Sequence, residues 1–312
     1  MAEEVMYVAG HRGLVGSAVW RAAEEVGLPL VGRTHAELDL RDRARVREFL
    51  VEAKPSTVVM AAARVGGILA NSTFPAEFLT DNLQVQLALL DAAVELRIPK
   101  VLFLGSSCIY PKFATQPLAE SSLLTGPLEP TNDAYAIAKI AGVLHVQAIR
   151  RQYGLPYISA MPTNLYGPGD NFDLNSSHVL PAIIRKMHEA KVQGSRHVAM
   201  WGSGTPKREF LHVDDLAQAC LFLLENYDEP EPINVGTGED LSIRELAQLV
   251  QEIVGFTGSL VWDASKPDGT PKKQLDTRRI NSLGWRPTIS LEAGIRSTYE
   301  WFLEHVDEDA RV

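Results

Sequence analysis

The feature that most constrains the fold is a short apolar run that ends in three evenly spaced glycines. "VMYVAG" (Val5 to Gly10) leads directly into "GHRGLVG", which places glycines at positions 10, 13 and 16 before a helix-like run. Glycines at this spacing allow a tight turn, and they let a pyrophosphate approach the backbone N–H groups at a helix N-terminus. Strand, turn and helix in that order predict dinucleotide binding at the first β–α turn. The simpler alternative is a helix start whose glycines only permit close packing.

Further along the chain, short apolar runs alternate with helix-length amphipathic segments. The runs predicted as strands are Val5–Gly10, Leu28–Arg33, Thr57–Ala63, Lys100–Ser107 and Pro156–Pro162. This alternation is typical of a parallel sheet with helices on both faces. After Pro162 the pattern becomes irregular and rich in Gly, Pro and Asn. We therefore predict an α/β fold: a Rossmann-type doubly wound parallel sheet with a smaller, discontinuous C-terminal substrate-binding lobe.

The same change of pattern suggests the domain bounds. We expect residues 1–165 to form the dinucleotide-binding domain, with segments near 205–225 and 285–305 returning to it. Residues 166–312 would form the discontinuous lobe. Within that lobe, "LSIRELAQLVQEIVG" predicts a helix that begins at the capping residue Ser242 and ends at Gly255.

Composition excludes several classes of protein. Among 312 residues the formal net charge is -9, which argues against a nucleic-acid partner, and basic pairs such as Lys272–Lys273 are expected on solvated faces. No apolar run approaches the ~18 residues of a membrane helix, and the acidic N-terminus does not resemble a signal peptide. The two cysteines, Cys108 and Cys220, are too few for a disulfide framework and lack metal-ligand spacing. We expect a cytoplasmic protein with no membrane partner and no metal.

The end of the second predicted strand bears on the type of dinucleotide. An NAD site usually places Asp or Glu there, but "VGRTH" ends in Arg33 and His35, and the first carboxylate is Glu37. Arg33 together with Arg12 suits a 2'-phosphate, which predicts NADP(H); alternatively, Arg33 is only a surface side chain. Asp39 stands where it could accept a hydrogen bond from an adenine amino group, or it could cap the following helix.

The sequence "YAIAK" begins a predicted helix that runs to about Tyr153. The i,i+4 spacing places Tyr135 and Lys139 on one face, so the ammonium could lower the phenol pKa and hold a cofactor ribose. Ser106 follows the fourth predicted strand, where parallel topology directs it to the same cleft. We predict that these three residues form a proton-transfer set, in which the phenol protonates an oxygen as hydride reaches its carbon. The alternative is a solvent-facing Tyr–Lys pair.

With these motifs the chain resembles the extended short-chain dehydrogenase/reductase family and, within it, the GDP-L-fucose synthase family. The resemblance covers about Val5 to Glu304, and "GSSCIYP", "NSSHVLPA" and "WGSGTPKREFLHVDD" are its narrower motifs. It implies an oxidoreductase with isomerase activity. Such an enzyme converts GDP-4-keto-6-deoxy-D-mannose to GDP-L-fucose by 3,5-epimerisation followed by NADPH-dependent reduction at C4. The alternatives are another nucleotide-sugar epimerase or dehydratase of the superfamily, or a non-enzymatic NADP-sensing protein.

This substrate makes a chemical demand that reduction alone does not. C3 and C5 of a 4-keto sugar both lie α to the carbonyl, and their inversion through enolates needs an acid and a base on opposite faces of the ring. The resemblance implies Cys108 and His178 as this pair, with the two roles unassigned. Taken alone, Cys108 would more often be a buried hydrophobic residue and His178 a structural one. Cys220 is expected in the core.

The resemblance also implies the binding residues. Besides Arg33 and Asp39, the implied cofactor contacts are Gly10, His11, Arg12, Gly13, Leu14, Val15, Gly16, Leu40, Leu104, Gly105, Ser106, Ser107, Lys139, Pro162, Thr163, Asn164, Leu165 and His178. The implied substrate contacts are Lys186, Trp201, Arg208 and Asp268. Arg208 could clamp a diphosphate bidentately, and Trp201 offers an apolar wall. Lys186 and His35 stand where arginine is expected, which removes a bidentate fork and weakens the NADP preference.

Two predicted helices bear on assembly. "LTDNLQVQLALLDAAVELR" and "YAIAKIAGVLHVQAIRRQYG" both carry broad apolar faces. In the family that the chain resembles, the equivalent pair forms a four-helix dimer interface, which implies a homodimer. Burial of both helices within one monomer is the alternative.

Overall fold

The computed structural model describes residues 4–266 and 268–309, without the side chains of residues 306–309. The ends of the two expected domains, at residues 1 and 312, therefore lie outside the described residues. In chain order the strands are β1 (Met6–Ala9), β2 (Leu30–Val31), β3 (Thr57–Met60), β4 (Lys100–Leu104), β5 (Ile158–Pro162), β6 (Asn164–Tyr166), β7 (His197–Trp201), β8 (Lys207–Arg208), β9 (Phe210–His212), β10 (Ile233–Val235), β11 (Leu241–Ser242), β12 (Ser259–Asp263) and β13 (Lys272–Lys273). The helices are α1 (Leu14–Glu25), α2 (Arg43–Ala53), α3 (Ile68–Thr73), α4 (Pro75–Glu95), α5 (Asp133–Tyr153), α6 (Val179–Val192), α7 (Val213–Asn226), α8 (Ile243–Val254), α9 (Arg278–Ser282) and α10 (Leu291–Asp309).

Within the described residues, six strands form one parallel sheet in the order β10-β5-β4-β3-β1-β2. The register pairs Met6 with Leu30 on one side and with Thr57 on the other. The chain thus moves outward from β1 to β2 and then crosses to β3, so the direction of winding reverses at β1. In sheets of this kind a ligand cleft forms at the carboxyl ends of the strands beside that reversal. The predicted Rossmann-type fold is confirmed.

Each predicted strand of this sheet is present but shorter than expected. The fourth, predicted to reach Ser107, ends at Leu104, because Ser106 caps a short 3-10 turn at Ser107–Ile109. The sixth strand, β10, was not predicted.

Successive side chains of each strand point to opposite faces of the sheet, so the core is divided between the two faces. Val58 and Val101 belong to a buried apolar cluster that includes side chains of α2, α4 and α5. Val59 and Leu102 point the other way, into a cluster shared with α1 and α7. The sheet is therefore covered by helices on both faces, as the near-continuous apolar runs of its strands require.

A third apolar cluster lies beyond the sheet and joins α6, α8 and α10. Helix α8 begins as predicted, with a capping box between Ser242 and Glu245, and ends at Gly255 in the left-handed conformation. Trp285 packs in the second cluster and Phe302 in the third, so the segment near 285–305 contributes to both clusters. The division near residue 165 stays a prediction.

Helices α4 and α5 pack side by side on the sheet and keep an apolar outer surface. Leu87, Ile137 and Leu144 are 38%, 46% and 40% exposed on these two helices. The described residues include no helix both long enough and apolar enough to span a membrane.

Candidate active site

The glycine turn has the geometry of a phosphate cradle. Gly10 adopts φ +84°, and a Cβ there would lie 2.8 Å from the Ala62 backbone. A Cβ on Gly16 would collide with the Gly10 carbonyl. Gly13 faces open space, since a Cβ added there would meet only the Gly10 oxygen, at 3.5 Å. It is also the N-cap of α1 and offers no capping side chain, so the first N–H groups of that helix are free for an anion.

Exposed cations surround the end of β2. The Arg33 guanidinium lies 5.0 Å from the Phe49 ring centre and donates to the Gly32 carbonyl at 3.0 Å. Arg12, in the glycine turn, and His35 are exposed as well. Arg12 and Arg33 carry guanidinium groups, which can bind a 2'-phosphate.

Carboxylates near this strand end are engaged with other groups. The Glu37 carboxylate accepts from the Thr34 N–H at 2.7 Å, and this bond lowers the pKa of Glu37. Asp39 is paired with Arg41, whose hydrogen bonds lower the pKa of Asp39 to about 2. Asp42, and not Asp39, caps α2 by accepting from two backbone N–H groups, so the alternative of Asp39 as a cap is wrong.

The ends of β5 and β6 form the opposite wall of the cleft. Thr163 and Asn164 both donate to the Glu209 carbonyl, at 3.2 and 2.7 Å. Glu209 is fully buried, and its carboxylate accepts from the N–H groups of Gly238 at 2.9 Å and Leu275 at 2.7 Å. Glu209 thus links two of the predicted cofactor contacts to two later segments. Leu104 and Pro162 are the last residues of β4 and β5, Gly105 follows β4, and Leu165 lies within β6.

The turn after β4 brings the predicted proton-transfer residues together. Ser106 Oγ accepts from the Cys108 N–H at 3.2 Å, which holds the turn closed. Lys139 Nζ donates to the Leu104 carbonyl at 2.8 Å and lies 5.8 Å from the Tyr135 ring centre. Burial lowers the pKa of Lys139 to about 8.

The pKa of Tyr135 moves in the direction opposite to the prediction. Burial raises it, negative charge on Cys108 raises it further, and a hydrogen bond with Ser106 acts in the lowering direction. The expectation that Lys139 lowers the phenol pKa is wrong for this geometry, because the ammonium is directed at a carbonyl. The phenol is therefore held in its protonated form.

Cys108 has the surroundings of a reactive thiol. Its Sγ accepts hydrogen bonds from Asn132 Nδ2 and Lys273 Nζ, each at 3.3 Å. Burial acts to raise the pKa of this thiol. The charge of Lys273, hydrogen bonds with Ser106 and Lys273, and the charge of Arg208 outweigh it, so the pKa is lowered. Cys220, in contrast, is fully buried in the second apolar cluster as predicted, and burial raises its pKa to about 12.

His178 precedes α6 and shares a neighbour with Cys108. The residue is exposed and stands at the N-cap position of α6. Desolvation by neighbouring protein atoms lowers the pKa of His178, and the charge of Lys273 lowers it further. The two predicted epimerisation residues are therefore both influenced by Lys273.

Lys273 is the functional candidate that sequence analysis missed. The pair Lys272–Lys273 was expected on a solvated face, but the two side chains of β13 diverge, as successive side chains of a strand do. Lys272 pairs with Asp240 at 3.1 Å, while Lys273 contacts Cys108. No local signal distinguishes the two lysines, since their roles depend on distant partners.

The predicted substrate contacts form two groups. Lys186 Nζ lies 5.5 Å from the ring centre of the half-exposed Trp201, and Lys266, which was not predicted, lies at the same distance. Arg208 Nη2 lies 3.5 Å from the Asp268 carbonyl, and burial lowers the pKa of Arg208. The Asp268 carboxylate accepts from Ser203 N–H and Oγ, both at 2.8 Å, so it orders the loop after Trp201.

Comparisons with known proteins agree with this geometry. Residues 6–236 match the model of the NAD dependent epimerase/dehydratase family. GDP-L-fucose synthase 1 of Arabidopsis thaliana is 58% identical over 96% of this chain and 94% of its own length. GDP-L-fucose synthase of Escherichia coli strain K12 is 53% identical, over 98% and 99%.

A solved structure adds the three-dimensional match. The GDP-L-fucose synthetase of Naegleria fowleri bound to NADP superposes with a TM-score of 0.89 at 30% identity, over 98% of this chain and 96% of that one. The glycine turn, Ser106, Tyr135, Lys139 and Cys108 thus occur on a fold and sequence similar to those of these relatives. The chain belongs to the NAD-dependent epimerase/dehydratase family and, within it, to the GDP-L-fucose synthases.

Proposed function

We propose that this protein converts GDP-4-keto-6-deoxy-D-mannose to GDP-L-fucose, as an NADPH-dependent 3,5-epimerase and 4-reductase. The observation that carries the proposal is the position of Cys108. Its activated thiol lies one short turn from Ser106 and affects the titration of Tyr135. Hydride transfer to a ketone has no use for such a thiol, whereas proton transfer at carbon needs a general acid or base, which a thiol of lowered pKa can supply.

The cofactor site suits NADP(H). The glycine cradle and the N-terminus of α1 would hold the pyrophosphate, and Arg12 with Arg33 would hold the 2'-phosphate. Lys139, on the same helix face as Tyr135, is positioned for the ribose. When bound, NADPH supplies the hydride that reduces C4.

Epimerisation is assigned to Cys108 and His178. The lowered thiol pKa favours the thiolate, the form that can accept a proton from C3 or C5, and Lys273 stabilises that anion. Inversion also needs a proton delivered to the opposite face of the carbon, and His178 would deliver it from its imidazolium form; the lowered pKa makes that form a stronger acid, and the ring is left neutral. Ser106 and the protonated Tyr135 can hydrogen-bond the enolate oxygen that develops at C4.

Reduction is assigned to Tyr135. The raised pKa keeps its proton in place through the neutral range, so the phenol is available to protonate O4 when hydride arrives at C4. Ser106 would orient the carbonyl beside it.

The nucleotide diphosphate is assigned to three cations: the predicted substrate contacts Arg208 and Lys186, and Lys266. Arg208 can bind the diphosphate in a bidentate manner, and Lys186 and Lys266 provide point charges beside Trp201. Asp268 acts through the loop that it orders.

We further propose a homodimer and a cytoplasmic location. Leu87, Ile137 and Leu144 form an exposed apolar surface on α4 and α5, which is the surface that the expected four-helix interface would cover. The location follows from the sequence features described above.

One incubation tests the proposal. The protein is mixed with GDP-4-keto-6-deoxy-D-mannose and NADPH in D2O, and NADPH absorbance, product identity and deuterium at C3 and C5 are followed. We expect stoichiometric NADPH oxidation and GDP-L-fucose labelled at both carbons. Without NADPH oxidation the proposal fails. A 4-epimerase or a dehydratase would instead convert its own substrate without net NADPH consumption.

Cys108→Ser separates the two chemistries. This variant should lose deuterium incorporation at C3 and C5 while its affinity for NADPH stays near that of the wild type. Loss of NADPH binding would assign Cys108 a packing role instead.

A further inference from the structure

Asn132 occupies a capping position but does not cap. It is the N-cap residue of α5, where an asparagine side chain ordinarily accepts a hydrogen bond from an N–H of the first helical turn. No such bond forms from this side chain. Its Nδ2 donates instead to Cys108 Sγ at 3.3 Å.

Asn132 also lines a small cavity. Asn132 Oδ1 is buried and, among the described residues, has no hydrogen-bond partner. The cavity, which leaves about 10 Å³ for the centre of a water molecule, is also lined by Cys108, Lys112, Glu129 and Thr270, and this is about the space that one water needs. A water there could donate to Oδ1 and fix the orientation of the carboxamide.

The bond to sulfur has a chemical consequence. A donor directed at Sγ stabilises the thiolate more than the thiol, in the same sense as Lys273. Asn132 also begins the helix that carries Tyr135 and Lys139, so it connects the thiol to the reducing residues.

We propose that Asn132 is a positioning residue for Cys108. Its side chain does not cap α5, and its Nδ2 instead holds Sγ in place and stabilises the thiolate. This inference rests on the proposed function, in which Cys108 transfers protons at carbon. Among the described residues, the charges of Lys273, on β13, and Arg208, on β8, also act on this sulfur. Tyr135 lies on α5, and the Lys112–Glu129 pair lines the cavity.

Alkylation of the thiol by iodoacetamide tests the inference without substrate or cofactor. Cys220 is 0% exposed, so the rate in the folded protein reports on Cys108. In Asn132→Ala we expect alkylation about tenfold slower below the thiol pKa, the effect of losing one hydrogen bond to a charged acceptor. At high pH, where the thiol is fully ionised, the rates should converge.

Asn132→Ser separates positioning from a structural role. Serine is a good N-cap but is too short to reproduce the carboxamide contact, so this variant should melt at or above the wild-type temperature and still alkylate slowly. Thr131→Ala, at the adjacent position, is the matched control and should alkylate like the wild type. A wild-type pH profile in Asn132→Ala, or full rescue by serine, would overturn the inference.

The same variants can also be tested for catalysis of epimerisation. Deuterium incorporation at C3 and C5 should slow in both Asn132 variants, with NADPH affinity unchanged. If the alkylation shift is found but the wild-type protein does not turn over the keto sugar, Asn132 still positions the thiol and only the proposed function falls.

Discussion

Asp170 is a buried carboxyl group whose ionisation should cost stability. It lies in the loop between β6 and α6, is 7% exposed, and accepts one bond, from the Asn171 N–H at 2.7 Å. Its Oδ2 is buried without a partner among the described residues. Burial raises the pKa of Asp170 to about 7.

The sign and size of the effect follow from linkage. An aspartate in the unfolded chain titrates near 3.9, so the folded state disfavours the anion, and stability is lost as the pH rises from about 4 to about 7. A difference of about three pKa units at about 1.4 kcal/mol each gives up to about 4 kcal/mol. The asparagine in Asp170→Asn cannot ionise, so this variant lacks the effect. Between about pH 4 and about pH 7, the free energy of unfolding of the wild type should therefore fall by up to about 4 kcal/mol more than that of the variant.

Urea unfolding between pH 4.5 and pH 8 measures this difference, and only the pH dependence enters the comparison. Asp173→Asn is the matched control in the same loop. Its carboxylate is exposed and accepts from Ser176 Oγ and from the N–H groups of Asn175 and Ser176; these hydrogen bonds outweigh desolvation and lower the pKa of Asp173. Asp173 is therefore largely ionised in both the folded and the unfolded chain between pH 4.5 and pH 8. Asp173→Asn should shift the free energy of unfolding by a nearly constant amount and leave its pH profile parallel to that of the wild type. Parallel pH profiles for the wild type and Asp170→Asn would refute the reasoning.

Three further predictions concern the site and the assembly. Lys273→Met removes a charge 3.3 Å from the sulfur and should slow iodoacetamide alkylation of Cys108 at neutral pH by about tenfold or more, whereas Lys272→Met should not; equal rates would contradict the ion pair. Tyr135→Phe should slow NADPH oxidation by at least about 100-fold with unchanged NADPH binding, because the proton donor is lost, and normal turnover would exclude the assignment. Leu87→Asp should convert a dimer to a monomer in analytical ultracentrifugation, since it places a charge in the apolar surface, and a persisting dimer would place the interface elsewhere.

The parts of the fold that were predicted from sequence depend on local spacing. The glycine turn, the five strands and the helix from Ser242 to Gly255 follow from short-range patterns that tertiary structure did not override. Strand ends were less certain, as the fourth strand illustrates: a serine side chain closes a turn where apolar character alone extends the strand. Strand β10 was missed because three residues among prolines and glycines carry too little periodicity.

The parts of the site that escaped prediction depend on distant contacts. Lys273 and Asn132 lie 165 and 24 positions from Cys108, yet both donate to its sulfur. The residue types alone suggest a surface lysine and a helix cap. The raised pKa of Tyr135 likewise reflects burial, which only the folded chain supplies.

The influence of Cys108 on Tyr135 links the two stages of the proposed reaction. Because an anionic sulfur makes the phenol harder to ionise, loss of a proton at one residue tightens its retention at the other. When Cys108 is a thiolate that can deprotonate the sugar, Tyr135 therefore retains the proton that it will later donate to O4. Simultaneous deprotonation of Cys108 and Tyr135 is therefore disfavoured. A single cleft can complete the epimerisations while Tyr135 still holds the proton that the reduction needs.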